Sequence, residues 1–376
     1  MDRQLRAVLL PSGPRLYQAL EAALDGTGPA ICPISTDLPA PALAALLTAL
    51  RPHEVETPAG IERRAGTGVA AGTALLIATS GSTGTPKIVE LSAEALLASA
   101  AATLTRIGAQ TGDLWVCALP ASHIAGIQVL VRSLVAGTSP MIVERVEPVG
   151  GAHISLVPTQ LRRLLDAGAD VGAFRSILLG GAAAPPDLLE QARAAGARVF
   201  TTYGMSETSG GCVYDGVPLD GVRVAIGADG RIRLAGPVLF TGYRLRSDLT
   251  ARVRDGDWFV TQDLGGLQDG VLRVRGRADD VINTGGEKVV AGEVAAVLAR
   301  HPGVRDVAVV GRTDPEWGQR VTAVVVPGGH APSLAELRDW VRAVLPVHAA
   351  PRELELVEAL PLLPSGKPDL ASLRRS

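Results

Sequence analysis

Short apolar runs alternate with amphipathic stretches through most of this chain, and that alternation constrains the fold more than any other feature. Residues 75–79, 115–119, 154–157, 176–179 and 198–202 read as strands. Between them lie helical patterns: one opening near Ser92, one over 126–135, one from Pro158, and one entered through Pro185-Pro186 and ending near Gly196. A proline in the first helical turn sacrifices no hydrogen bond and presets the backbone angle. Strand–helix repetition of this kind needs crossover connections, so it predicts an α/β fold with largely parallel pairing. After about Val217 the pattern changes to glycine-punctuated strands at 231–234, 258–261 and 272–275, a small β-rich subdomain. A boundary falls at 276–280. Beyond it, a helix near 293–300, strands at 306–311 and 321–326 and a capping box Ser333…Glu336 predict a separate α+β domain. The expected division is 1–277, an N-terminal domain of α/β layers carrying the β-rich subdomain, and 278–376, a smaller C-terminal domain.

Charge and cysteine usage narrow the partners. Lys+Arg 36 against Asp+Glu 38 leaves a formal net charge of −2, so no basic field exists to hold nucleic acid. Cys32, Cys117 and Cys212 are far apart with no C-x-x-C pair, which argues against a disulfide framework or zinc site and fits a reducing, cytoplasmic compartment. No apolar run approaches the ~18–20 residues of a membrane span. The apolar stretch after Asp2 stops at Pro11, unlike a signal peptide.

Only three lysines occur, Lys87, Lys288 and Lys367, and the remaining 33 basic residues are arginine. All three lie in Gly-rich segments, where a compact ammonium fits and a planar guanidinium does not. The first segment, Thr79-Ser-Gly-Ser-Thr-Gly-Thr-Pro-Lys87, follows a strand. Its hydroxyls and unhindered N–H groups can wrap an anion that Lys87 neutralises. It is not the P-loop of NTPases, because Pro86 precedes the lysine and Ile88 follows it.

This loop resembles the phosphate loop of the adenylate-forming superfamily, which includes acyl-CoA ligases and peptide-synthetase adenylation domains. Three further segments resemble that family in the same order: Thr202-Tyr-Gly-Met-Ser-Glu-Thr208, Gly276-Arg-Ala-Asp-Asp-Val-Ile-Asn-Thr-Gly-Gly-Glu-Lys288 and Leu360-Pro-Leu-Leu-Pro-Ser-Gly-Lys-Pro368. The resemblance implies a mobile C-terminal domain and ATP, Mg²⁺ and CoA as reaction partners. It implies nucleotide contacts from Thr79, Ser80, Gly81, Ser82, Thr83, Gly84, Thr85 and Lys87 in the loop. Further nucleotide contacts are implied for Gly181, Ala182, Thr202, Tyr203, Gly204, Met205, Asp263 and Arg277. Lys367 would bridge the substrate carboxylate and the α-phosphate, Ser206 would donate to that phosphate, and Glu207 would ligate Mg²⁺. Gln262 departs from the glycine usual before the ribose-binding aspartate. Asp279 matches the family's hinge; Gly285, Gly286 and Lys288 would serve the CoA half-reaction after the domain rotates. Relatives in this family are often dimers, which makes a homodimer one expectation.

For the acyl group, the early position of the loop and the absence of a carrier-like segment after residue 376 favour a stand-alone small-acid ligase. Leu119-Pro-Ala-Ser-His-Ile-Ala-Gly126 resembles the family's acyl-pocket segment, with Ser122 in place of a frequent aromatic. There His123 would gate the pocket or contact the acid, and Gly180 with Gly181 would lie flat against the nucleotide and acyl group. Arg132 stands among Val129, Leu130, Val131, Leu134 and Val135, where a guanidinium needs a partner. A second carboxylate on the substrate would supply one. The pattern thus resembles the o-succinylbenzoate–CoA ligases of menaquinone biosynthesis. Ligases for another small aryl or short-chain acid, and a non-catalytic nucleotide- or acyl-binding protein on the same fold, are the alternatives.

Overall fold

The computed structural model describes residues 2–79, 87–363 and 368–375. Over these residues four sheets form. In the first, the strands Thr73–Thr79, Ala30–Pro33, Leu5–Val8 and Glu54–Thr57 run parallel, and antiparallel strands are added at both edges. In the second, Val199–Met205, Ser176–Leu179, His153–Leu156, Trp115–Cys117 and Met141–Ile142 run parallel, and Gly210–Tyr214 with Val217–Pro218 closes one edge antiparallel. Both sheets are therefore mixed: parallel at their centres, with antiparallel strands at both edges of the first and at one edge of the second.

One rim was not foreseen. The segment Lys87–Ser92 is a strand, paired antiparallel with Thr73–Thr79 in a register that puts Thr79 opposite Lys87. Thr79 Oγ1 donates to the Lys87 carbonyl over 3.0 Å, so the two ends of the Gly/Ser/Thr segment are tied together. Ser92 then caps the helix Ala93–Ile107 by accepting from the Ala95 N–H at 3.0 Å, and Gly108 ends it with φ +69°. Leu96, Ala100, Thr103 and Ile107 lie on its buried face at helical spacing.

That helix and Ile124–Val135 lie between the two large sheets; Leu96, Ala100, Ile127, Leu130 and Val131 join Leu75, Ile77 and Val89 in one core. The outer face of the second sheet has its own core, in which Ile154, Leu156, Ile177 and Leu179 meet Leu161, Leu164 and Leu188. Strands Arg223–Ile226, Arg231–Ala235, Trp258–Gln268 and Val271–Arg277 build the third sheet with Arg254–Asp255. The fourth sheet holds Glu287–Val290, Val281–Thr284, Gly318–Pro327, Val304–Asp314 and Glu353–Leu356. Its core is Val294, Leu298, Val321, Ala323, Val325, Leu337 and Val341. The capping box forms in both directions: Ser333 Oγ accepts from the Glu336 N–H, and Glu336 Oε2 accepts from the Ser333 N–H at 2.7 Å. No helix among the described residues is long and apolar enough to cross a membrane.

Candidate active site

Thr79, Gly180, Gly181 and Met205 all stand at or just beyond the carboxyl ends of their strands. In open sheets with parallel centres this is the end where ligands collect. The strand Val199–Met205 breaks there into a 3₁₀ turn, Ser206–Thr208, and reverses into Gly210–Tyr214. The reversal leaves no room at Gly204, where a Cβ would fall 2.0 Å from the Gly210 carbonyl oxygen. Thr208 Oγ1 accepts from the Met205 N–H at 2.9 Å and donates to the Gly210 carbonyl at 2.7 Å. Ser209, at φ +53°, ties the turn to Val238 through its hydroxyl. These bonds fix Ser206 and present Glu207, which is only 6% exposed.

Glu207 Oε1 receives two donors. Lys87 Nζ lies 2.9 Å away, and the Tyr243 hydroxyl donates over 2.8 Å. Lys87 Nζ also donates to that hydroxyl at 3.1 Å and stands 4.4 Å over the Tyr243 ring. Glu207 Oε2 takes no bond among the described residues. A lone carboxylate with one oxygen to spare suits Mg²⁺, which takes its other ligands from phosphate and water.

A second group links the second and third sheets. Tyr203 donates its hydroxyl to Asp263 Oδ2 at 2.8 Å, and Arg277 Nη1 reaches Asp263 Oδ1 at 3.4 Å from the facing position on the next strand. Arg277 also holds Asp279 with two bonds of 2.8 Å. Burial and then the Asp263 carboxylate push the Tyr203 phenol far above its usual pKa. Burial would raise Asp279, but its bonds to Arg277 hold the carboxyl below the ordinary range. Gly180 approaches Thr202 so closely that a Cβ would meet its Oγ1 at 2.4 Å, and Gly181 has φ +85°. Ala182 follows, exposed, on the same loop.

The segment 119–126 folds back on the helix it leads into. A Cβ at Gly126 would lie 2.3 Å from the Pro120 carbonyl, so only glycine lets the chain cross there. His123 is exposed at the residue before the helix Ile124–Val135. Arg132 is buried two turns further on, its guanidinium 4.6 Å over the Trp115 ring and its Nη2 donating to Ser155 Oγ at 2.9 Å. Its Nε has no hydrogen-bond partner, and no carboxylate among the described residues lies within ion-pair distance.

Gly285 and Gly286, at φ +59° and +84°, form the two-residue turn between Val281–Thr284 and Glu287–Val290. A Cβ on Gly285 would strike the Trp317 ring at 2.7 Å. Lys288 is exposed on the same hairpin, in the fourth sheet, whereas Lys87 lies in the first and Glu207 in the turn after Val199–Met205. Ser80, Gly81, Ser82, Thr83, Gly84, Thr85 and Lys367 lie outside the described residues. Leu362 and Pro368, on either side of the last lysine motif, pair as a bridge. Sequence reasoning missed Tyr243; its one signal was rarity, since only four tyrosines occur in the chain.

Lys87 and the buried Glu207 meet at the carboxyl ends of the large sheets, with Tyr203, Asp263 and Arg277 joined nearby, on the fold of the adenylate-forming enzymes. The chain belongs to the AMP-binding enzyme family: residues 20–245 match that family, and residues 293–367 match its C-terminal domain. It is 42% identical over 99% of its length, and 98% of the other protein, to one of Mycobacterium tuberculosis named "Probable 2-succinylbenzoate–CoA ligase". It is 37% identical to the 2-succinylbenzoate–CoA ligase of Escherichia coli, over 70% of this chain and 60% of that protein. Among solved structures it is similar to o-succinylbenzoate CoA synthetase from Bacillus subtilis in complex with its acyl-adenylate intermediate. That match has a TM-score of 0.82 and 28% identity, covering 99% of this chain and 88% of the other.

Proposed function

We propose that this chain joins o-succinylbenzoate to CoA in two steps. A carboxylate oxygen attacks the α-phosphorus of ATP, the bond to the bridging oxygen breaks, and pyrophosphate leaves. The CoA thiol then attacks the acyl carbon, losing its proton to solvent, and AMP departs. The observation that carries this reading is the 42% identity, along nearly the whole chain, to a relative bearing that name.

In this reading Lys87 meets the phosphates and Tyr203, Asp263 and Arg277 seat the nucleoside. Glu207 would hold Mg²⁺, which would supply positive charge beside the pyrophosphate. Lys367 draws the two anionic oxygens together. Residues 278–376 turn about Asp279 between the steps and bring Gly285, Gly286 and Lys288 to the thiol. Arg132 is the candidate for the acid's second carboxylate, because its buried guanidinium has a spare donor and no acidic partner among the described residues. The three cysteines are buried and unpaired, which fits a cytoplasmic enzyme.

The test is a panel of aryl and short-chain acids offered with ATP, Mg²⁺ and CoA, with thioester read by mass spectrometry. The expected result is o-succinylbenzoyl-CoA as the preferred product. In Arg132→Ala the KM for this acid rises about tenfold or more, with that for ATP unchanged. Preference for another acid moves the substrate assignment, and no thioester from any acid supports the binding-protein alternative.

A further inference from the structure

Tyr243 ends a two-residue edge strand, Gly242–Tyr243, paired antiparallel with Lys87–Ser92. A lysine ammonium can only donate and an ionised carboxylate can only accept. The phenol between them therefore accepts from Lys87 and donates to Glu207, and its order of bonding admits no alternative.

The seat of this side chain is rigid. Phe240 packs on it at 4.9 Å and is itself met edge-on by Phe259 at 5.2 Å. The next residue, Arg244, is 5% exposed and directs its guanidinium to the carbonyls of Leu50, Thr67 and Gly68 and to Glu90. A guanidinium committed to carbonyls so distant in sequence anchors the edge strand against sliding. Fixing the strand fixes the phenol.

We propose that Tyr243 is a positioning residue for adenylation, setting the separation and orientation of Lys87 and Glu207 before nucleotide binds. Lys87 must exchange part of its bond to Glu207 for phosphate oxygens when ATP arrives. Tyr243 leaves Glu207 with a donor during that exchange, so the carboxylate keeps its place. This rests on the nucleotide-binding reading above but not on the identity of the acid.

Tyr243→Phe keeps the ring and removes the hydroxyl. Isothermal titration calorimetry with ATP and Mg²⁺ is expected to show affinity about tenfold weaker than wild type, with the melting temperature retained. ATP–pyrophosphate exchange should slow about ten- to hundredfold, as a fall in kcat with the acid KM unchanged. Tyr243→Leu, which also removes the ring beneath Lys87, should weaken ATP binding about two- to fivefold further. Wild-type ATP affinity and exchange rate in Tyr243→Phe would overturn the proposal, as would a loss confined to the KM for the acid. Calorimetry needs no acid, so a wrong substrate assignment leaves the wild-type and variant affinities still comparable.

Discussion

One polar cluster at each end of the large sheets invites the opposite reading from the one its position allows. Asp113, His153 and Ser176 stand in the order that activates a serine: His153 Nδ1 is 2.7 Å from Ser176 Oγ, and its Nε2 is 3.1 Å from Asp113 Oδ2. Yet His153 and Ser176 have no exposed surface, His153 stacks on Trp115 at 4.8 Å, and Arg175 closes over Asp113. Lys87, Glu207 and Tyr243 look like a plain ion pair beside a phenol, but about a third of the Lys87 side chain is exposed. The difference lies in which end of the sheet each occupies. His153, Ser176 and Trp115 are the first residues of parallel strands, whereas Thr79 and Met205 are the last of theirs. Loops at the carboxyl ends leave a crevice, and here the opposite end is sealed by packing. Position on the strand, more than residue type, separates the chemical cluster from the structural one.

The sharpest way to break this comparison is to neutralise one member of each. Glu207→Gln is expected to lower the adenylation rate about 10²–10³-fold with little change in melting temperature, as read by ATP–pyrophosphate exchange and thermal denaturation. A wild-type rate would remove Glu207 from the chemistry. His153→Ala should do the reverse. It leaves Ser176 and Asp113 without a shared partner and opens a space beside Trp115, costing about 2–4 kcal/mol in urea denaturation. Its folded fraction should keep near-wild-type turnover; lost turnover at unchanged stability would make the sealed cluster catalytic.

A smaller effect follows from pH. Burial holds the His153 imidazole below its ordinary pKa, despite the opposing bond to Asp113. The unfolded chain takes up a proton below about pH 6.5 while the native imidazole stays neutral. Stability from this residue is therefore complete above that pH and falls as pH drops towards the lower native value. The slope is at most about 1.4 kcal/mol per pH unit. Urea midpoints between about pH 7.5 and 5 should decline in the wild type and decline less in His153→Ala. Equal declines would place the titrating group elsewhere.

The alternation of apolar runs made the parallel centres of the second sheet legible, and Pro158 and Pro186 marked helix starts correctly. The strand Lys87–Ser92 escaped because its six residues follow the glycine-rich segment directly and lead straight into a capped helix. In the site, Tyr203, Asp263 and Arg277 were reachable through the resemblance to the adenylate-forming family, and the structure brings them together. Tyr243 could not, because its value lies in contacts with Lys87 and Glu207 across 156 and 36 residues. Local spacing reports which face a residue occupies, but pairings at such separations depend on how sheets meet. Arg132 illustrates the same limit: its burial was readable from its apolar neighbours, but its partners Trp115 and Ser155 were not.

The central claim is that this chain activates a carboxylate by transferring AMP to it, with one lysine holding the two anions together. Acid-dependent ATP–pyrophosphate exchange, measured with o-succinylbenzoate for wild type and Lys367→Ala side by side, tests it most directly. Exchange is expected in the wild type only when acid is present, with a loss of at least about hundredfold in Lys367→Ala and ATP binding preserved. Exchange at the wild-type rate in Lys367→Ala, or none in the wild type with any carboxylic acid, would contradict it.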